Sequence, residues 1–147
     1  VSWGPITFKQ GAISVSSTDL VTPAIPNVIA GLAMDTKRGA LFALHSNSNE
    51  SRIAANKNGG INSVASVDVV DTETGAVIKQ AAELESQYRF DGRFTELDSE
   101  AGIIYASGYS INHRDRHFMF AININDGSVV YRDMNAFAPQ LVAILSK

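Results

Sequence analysis

The densest concentration of chemistry-bearing side chains in this sequence is the run His113, Arg114, Asp115, Arg116 and His117. Imidazole and carboxylate donors suit a divalent transition metal. On an extended strand, positions i, i+2 and i+4 share a face, so His113, Asp115 and His117 form a candidate metal set. The run also falls where two strands are expected to turn. There it would be an ordinary polar loop or a contact for a partner, with Arg114 and Arg116 adding charge. His45 closes an apolar segment, where a hydrogen-bonded structural histidine is expected, and it joins the partner-binding candidates. Tyr88 and Tyr109 lie near strand ends, where an exposed ring can meet a sugar or a peptide. No catalytic residue is singled out: Ser46, Ser48 and Ser51 lack the strand-turn-helix setting of a serine nucleophile. The Asn58 to Gly60 stretch is a turn rather than a phosphate loop, and no cofactor is expected.

A second polar set recurs. Asp35, Asp71, Asp98 and Asn123 each precede a glycine (Gly39, Gly75, Gly102 and Gly127) by four residues. Paired carboxylates do acid–base work in some hydrolases. Recurrence at turn entries points instead to a structural task, in which a side-chain oxygen accepts hydrogen bonds from turn amides and the glycine takes positive φ.

The elements that must position these residues are short strands in a repeat. Val67 to Lys79 reads as strand, acidic turn closed by glycine, strand, and Met119 to Tyr131 reads the same way fifty-two residues later, with Val70 over Ile122 and Val77 over Val129. A second hairpin also recurs: Gly31 to Asn47 is matched by Thr95 to Ser107 at an offset of sixty-three, Leu41 over Ile104 and Phe42 over Tyr105. The offsets differ because the loop between the second and third strands differs in length. It runs from Ser46 to about Ser63 in the first unit and from about Ser110 to Arg116 in the second. A period of about fifty residues made of strands marks a propeller or solenoid. The expected fold is all-β, with antiparallel four-stranded propeller-like blades and an incomplete ring in this chain. Residues 1–147 are read as one domain, with unit one at about 31–80, unit two at about 94–132 and partial units at 1–30 and 133–147. Residues 80–94 are expected to connect the units, with a short helical turn at Ala81 to Glu85. In the flanks, Ala12 to Val15 and Leu141 to Leu145 read as strands, and Pro23 and Pro26 force an extended connector.

Bulk properties set limits on function. The 147 residues are 45% apolar and 18% charged, a globular composition with no low-complexity tract. Twelve basic and fifteen acidic side chains leave a net charge of −3, so nucleic acid is not an expected partner. Absence of cysteine removes disulfides and thiolate chemistry. No run of eighteen apolar residues occurs, so membrane insertion by a helix is not expected. A first residue other than methionine is read as a start removed by signal cleavage, by proteolysis or by truncation, which the sequence does not distinguish; of these, export to a secreted or periplasmic location is the expectation.

Met119 to Tyr131 resembles the repeat of the pyrroloquinoline-quinone-type propellers, in which an apolar or aromatic pair precedes Ala-Leu-Asp and Thr-Gly-Lys-Val follows. Gly31 to Asp35 and Val70 to Gly75 resemble the YVTN propeller repeat of surface-layer and periplasmic proteins, patterned Gly-Leu-Ala-Val-Asp and Val-Ile-Asp-Thr-x-Thr-Gly. Ala43, Leu44 and His45 stand where that family carries its Val-Thr-Asn, and Asn123 and Ile124 replace its Asp-Thr. The only tryptophan, Trp3, lies outside both units, so quinone binding is not implied. The resemblance implies blades of a propeller. The function expected is a binding or scaffold module of an exported protein, recognising a protein or a glycan through its inter-strand loops. The alternative is a fragment or subunit of a propeller enzyme, a hydrolase, lyase or oxidoreductase, whose site is shared with other blades. Three arrangements follow: the chain is a portion of a longer one, further copies or a companion chain complete the ring, or the units stack in a small sandwich.

Overall fold

A computed structural model describes residues 2–9, 11–15, 20–25, 28–46 and 65–135. The described residues form ten strands: β1 (Ile6–Lys9), β2 (Ala12–Val15), β3 (Val28–Asp35), β4 (Ala40–Ser46), β5 (Ala65–Val70), β6 (Val77–Glu83), β7 (Tyr88–Asp98), β8 (Ile103–Ser110), β9 (His113–Asn123) and β10 (Val129–Asp133). Strands β3 to β6 make one four-stranded antiparallel sheet in chain order and β7 to β10 another, while β1 and β2 pair as a separate hairpin. Neither large sheet closes into a barrel. The strand pairs expected from the two repeated hairpins are present, Leu41 opposite Met34 and Val70 in the first sheet, Ile104 opposite Leu97 and Ile122 in the second.

The recurring aspartates do the turn work read from the sequence. Asp35 Oδ1 accepts the amide hydrogens of Lys37 and Arg38 at 3.0 and 3.1 Å. Asp98 Oδ1 takes those of Glu100 and Ala101 at 3.0 Å each. Asp71 Oδ1 takes those of Glu73 and Thr74 at 2.9 and 2.7 Å, and Asn123 Oδ1 that of Asn125 at 2.9 Å. All four closing glycines have positive φ, between 63° and 76°. Burial pushes the Asp35 carboxyl up. The Arg38 guanidinium at 2.6 Å, with the Arg38 and Lys37 amides, more than offsets this and holds it below its ordinary value. Arg38 also donates to Ser99 O at 2.7 Å, tying the first turn of one sheet to the corresponding turn of the other.

Alternation along the strands divides each sheet into two faces. On the face turned to the second sheet, the first presents Ala33, Phe42, Leu44, Val67 and Val69. The second answers with Phe90, Ile104, Ala106, Phe120 and Ile122, and these residues make one apolar core. Phe120 and Ile122 are fully buried in it. The other face of the first sheet carries Leu41, Ala43 and Val70, also buried. The other face of the second is more open, with Tyr105 half-buried and Val130 63% exposed.

Two readings of the sequence are corrected. Residues 80–94, expected as a connector with a helical turn, are mostly strand: β6 reaches Glu83, and β7 starts at Tyr88. Ala82, Leu84 and Phe90 are buried in the core, so tertiary burial overrides the weak helical preference of Ala81 to Glu85. The segment Ser110 to Arg116, expected as a loop, is a two-residue turn at Ile111 and Asn112 followed by β9. Its polarity has another cause, since residues 114–116 bulge away from β8, which pairs His113 with Ser110 and then His117 with Tyr109. The long loop of the first unit beyond Ser46 and the tail from residue 136, including the strand expected at Leu141 to Leu145, lie outside the described residues.

Candidate functional site

The starts of β3 and β7 and the ends of β4 and β8 meet at one end of the paired sheets. There β7 leaves its register: Phe90 pairs with Gly108 and Thr95 with Ala106, so residues 91–94 stand opposite Ser107 alone. Such bulges re-aim side chains and gather beside functional sites. Ser107 Oγ donates to Asp91 Oδ1 at 2.5 Å and accepts from the Phe94 amide at 3.0 Å, and the Arg93 amide donates to the same Asp91 oxygen at 3.0 Å. Gly92 makes the bulge possible. Its φ is +74°, and a Cβ there would lie 3.1 Å from Ala30 O of β3. The bulge turns Asp91 towards a cleft of about 350 Å³ lined by Val28, Ile29, Ala30, Ser46, Phe90, Asp91, Gly92 and Tyr109. Its wall is fastened by the Phe90 amide, which donates to Ser46 Oγ at 3.0 Å.

Beside the cleft, Arg89 is 1% exposed and pairs across the sheet with Tyr109. Its Nη1 donates to Ser86 O and Tyr88 O at 2.7 and 2.6 Å, and its buried Nη2 has no hydrogen-bond partner among the described residues. Burial pulls the guanidinium below its ordinary range while Tyr109 works in the opposite direction, and an arginine keeps its charge through such shifts.

The candidate residues read from the sequence separate into distinct settings. Tyr109 lines the cleft. Tyr88 is packed in an aromatic nest instead, stacked on Tyr131 with centroids 4.3 Å apart and edge-on to Phe118 and Phe120 at 5.1 and 5.6 Å. Tyr131 in turn accepts the Glu85 amide hydrogen at 2.9 Å. His113, Arg114, Asp115 and Arg116 are exposed on β9 and His117 is half-buried. Arg116 Nη1 lies 3.3 Å from Asp133 Oδ2, and the Met134 amide donates to His117 O at 2.8 Å. Among the described residues, no three His, Cys, Asp or Glu side chains are gathered so as to hold a metal ion.

His45 has the buried, hydrogen-bonded setting expected of it. Its Nε2 lies 2.8 Å from Asp68 Oδ2 and 2.9 Å from Ser66 Oγ, and all three residues are buried. A serine, histidine and aspartate in contact invite comparison with a proton-relay triad. That arrangement needs the carboxylate on one ring nitrogen and the hydroxyl on the other, whereas both partners here share Nε2. The positions are also structural equivalents of others. The offsets of the two hairpins place His45 over Gly108, Ser66 over Phe118 and Asp68 over Phe120, and cross-strand pairs His45–Ser66 and Ala43–Asp68 correspond to Gly108–Phe118 and Ala106–Phe120. One unit fills this part of its sheet face with a polar trio, the other with two aromatic rings over a glycine.

Asp91, Ser107 and Ser46 were not singled out by the sequence. The available signal is Gly92, an isolated glycine in an otherwise strand-like stretch between Phe90 and Phe94, which marks a bulge. Comparison with models of protein families, with curated proteins and with solved structures finds no match to this chain.

Proposed function

We propose that this chain is a binding or scaffold module of an exported, propeller-type protein, recognising a protein or a glycan at the strand end that carries the cleft. The observation that carries the reading is the cleft itself, where a bulge held by side-chain hydrogen bonds brings Asp91 of β7 into one lining with the start of β3 and the end of β4. Three features support propeller blades of the YVTN or pyrroloquinoline-quinone type. Both sheets are meanders in chain order. Both carry the same aspartate-to-glycine turns. They also stack in one direction: Phe42 and Leu44 pack onto the second sheet, and their equivalents Tyr105 and Ser107 lie on the face that the second sheet turns away from the first. A further unit, from copies of this chain or from a companion chain, would cover that face.

Two measurements test the reading. Glycan-array and peptide-library binding is compared between the wild-type chain and Tyr109→Leu, and the expected result is a ligand class retained by the first and lost by the second. A chain that retains no glycan or peptide, or that binds all of them regardless of Tyr109, refutes a recognition role for this end. The mass in solution tests ring completion by copies: three or four copies give six or eight blades, and a particle of one 15.8 kDa chain refutes it.

A further inference from the structure

The polar groups left open around the cleft select a class of ligand. Asp91 Oδ1 is committed to the Ser107 hydroxyl and the Arg93 amide, which leaves Oδ2 as an acceptor on a carboxylate whose side chain is 13% exposed. Arg93 Nε lies 3.9 Å from Oδ2, too far for a direct hydrogen bond, on a side chain that is largely exposed and outside the cleft lining. Ser46, 7% exposed and lining the cleft, uses its oxygen to accept the Phe90 amide hydrogen. Its own hydroxyl hydrogen is not used in that bond and is open to a second acceptor. Val28, Ile29, Phe90 and Tyr109 supply the apolar and aromatic walls.

Charge narrows the choice. A cationic ligand at Asp91 meets the Arg93 guanidinium beside the same oxygen. An anionic ligand meets the Asp91 carboxylate. A neutral ligand with adjacent hydroxyls and a hydrocarbon face satisfies the Asp91 acceptor, the Ser46 donor and the walls together. The cleft volume of about 350 Å³ lies near the lower end of the roughly 300–1,000 Å³ usual for small-molecule sites, which fits one ring better than a peptide segment.

We propose that the cleft bounded by the β7 bulge and the start of β3 binds a neutral sugar ring, free or at the end of a glycan, through Asp91, Ser46 and Tyr109. This rests on the reading of that strand end as a recognition site and names its ligand.

The test is a two-dimensional amide NMR titration of the 147-residue chain with a panel of neutral methyl glycosides, alongside N-acetyl-lysine methylamide as a cationic probe. One or more glycosides should shift the amides of Ala30, Ser46, Phe90, Gly92 and Arg93 saturably and leave the β9–β10 turn unmoved. Asp91→Asn retains an oxygen for Ser107 and Arg93 but loses the charge and the free acceptor. It should weaken binding roughly ten- to a hundredfold, the loss of a charge-assisted hydrogen bond. If that variant does not give a native-like spectrum, Tyr109→Leu serves in its place, with a loss of about tenfold expected from the missing ring wall. A glycoside that binds more tightly when it ends an oligosaccharide identifies a glycan terminus, and equal affinity identifies a free sugar; both outcomes support the proposal. Shifts from the lysine probe alone overturn the sugar assignment and leave the recognition reading standing. No shift from either probe overturns the proposal, and with an empty array it overturns the recognition reading as well.

Discussion

Gly108→Ala tests the packing of β8 between β7 and the Phe120 ring of β9, within the second sheet, at a single atom. Gly108 sits on β8 opposite Phe90 and Phe118, and it is the counterpart of His45 in the first sheet. A Cβ built there would lie 2.0 Å from Arg89 O and 2.4 and 2.8 Å from two carbons of the Phe120 ring. Real Cβ atoms do not approach so closely, so the backbone of β7, the buried ring, or both must move. Overpacking a close-packed core costs about 1–3 kcal/mol, and a backbone oxygen in the clash puts this site at the upper end. Replacing glycine at a permitted φ offsets about 0.4–1 kcal/mol through the unfolded chain. A net loss of about 2 kcal/mol is expected, which for a chain of this size lowers Tm by roughly 4–8 °C. Urea unfolding followed by circular dichroism reads the first number and calorimetry the second. Gly39→Ala is the comparison, since open space surrounds that position and only its φ of +63° opposes the change. The decisive measurement is the pair with Phe120→Leu, where a smaller side chain makes room and part of the loss at Gly108 should be recovered, a coupling of about 0.5 kcal/mol or more. Stability equal to wild type for Gly108→Ala, or strict additivity in the pair, refutes the contact.

Other perturbations follow from the same geometry. Phe120→Ala empties a fully buried site in the shared core, and an unfolding free energy lower by about 3–5 kcal/mol is expected in urea titration. Asp68→Ala leaves the buried His45 Nε2 with Ser66 alone of its two partners here, so a loss of about 1–3 kcal/mol is expected; thermal unfolding identical to wild type would count against the trio as a structural unit. Asp71 is held below its ordinary value by the Thr74 amide and hydroxyl and then the Glu73 amide, and Asp126 by the Ser128 hydroxyl and amide. For carboxyls lowered in the folded state, as at Asp35 too, the unfolded chain binds more protons over the interval. Their stabilisation is complete above about pH 3.8, the ordinary value, and disappears as pH falls through the folded values. Denaturation midpoints measured between pH 6 and pH 2 should therefore fall below that point in wild type, and fall less in Asp71→Asn.

The turn chemistry was legible because it is local. An aspartate two or three residues before the amides it accepts, followed by a glycine that tolerates positive φ, needs no distant partner to form, and it appears in the sequence as a spacing. Period-two alternation made the hairpins legible in the same way. Residues 80–94 were misread because Ala81 to Glu85 carries a weak local preference that loses to the burial of Ala82, Leu84 and Phe90. The His113 to His117 run was misplaced because the sequence shows its polarity but not the register shift that lets an outward-bulging strand carry it. Tyr88 and Tyr109 looked alike along the chain. One is stacked on Tyr131 in an aromatic nest and the other lines the cleft, a difference made by neighbours forty or more residues away and by an altered register in β7.

By itself the sequence determined the repeat, the strands that alternate, and the four aspartate- or asparagine-led turns, since each depends on residues within a few positions of one another. Tertiary structure decided which faces meet, that β7 bulges at Asp91, and that Ser46, Asp91 and Tyr109 share one cleft. Those outcomes depend on contacts between residues far apart in the chain, where Ser107 from β8 holds the bulge and Ala30 from β3 packs closely against Gly92.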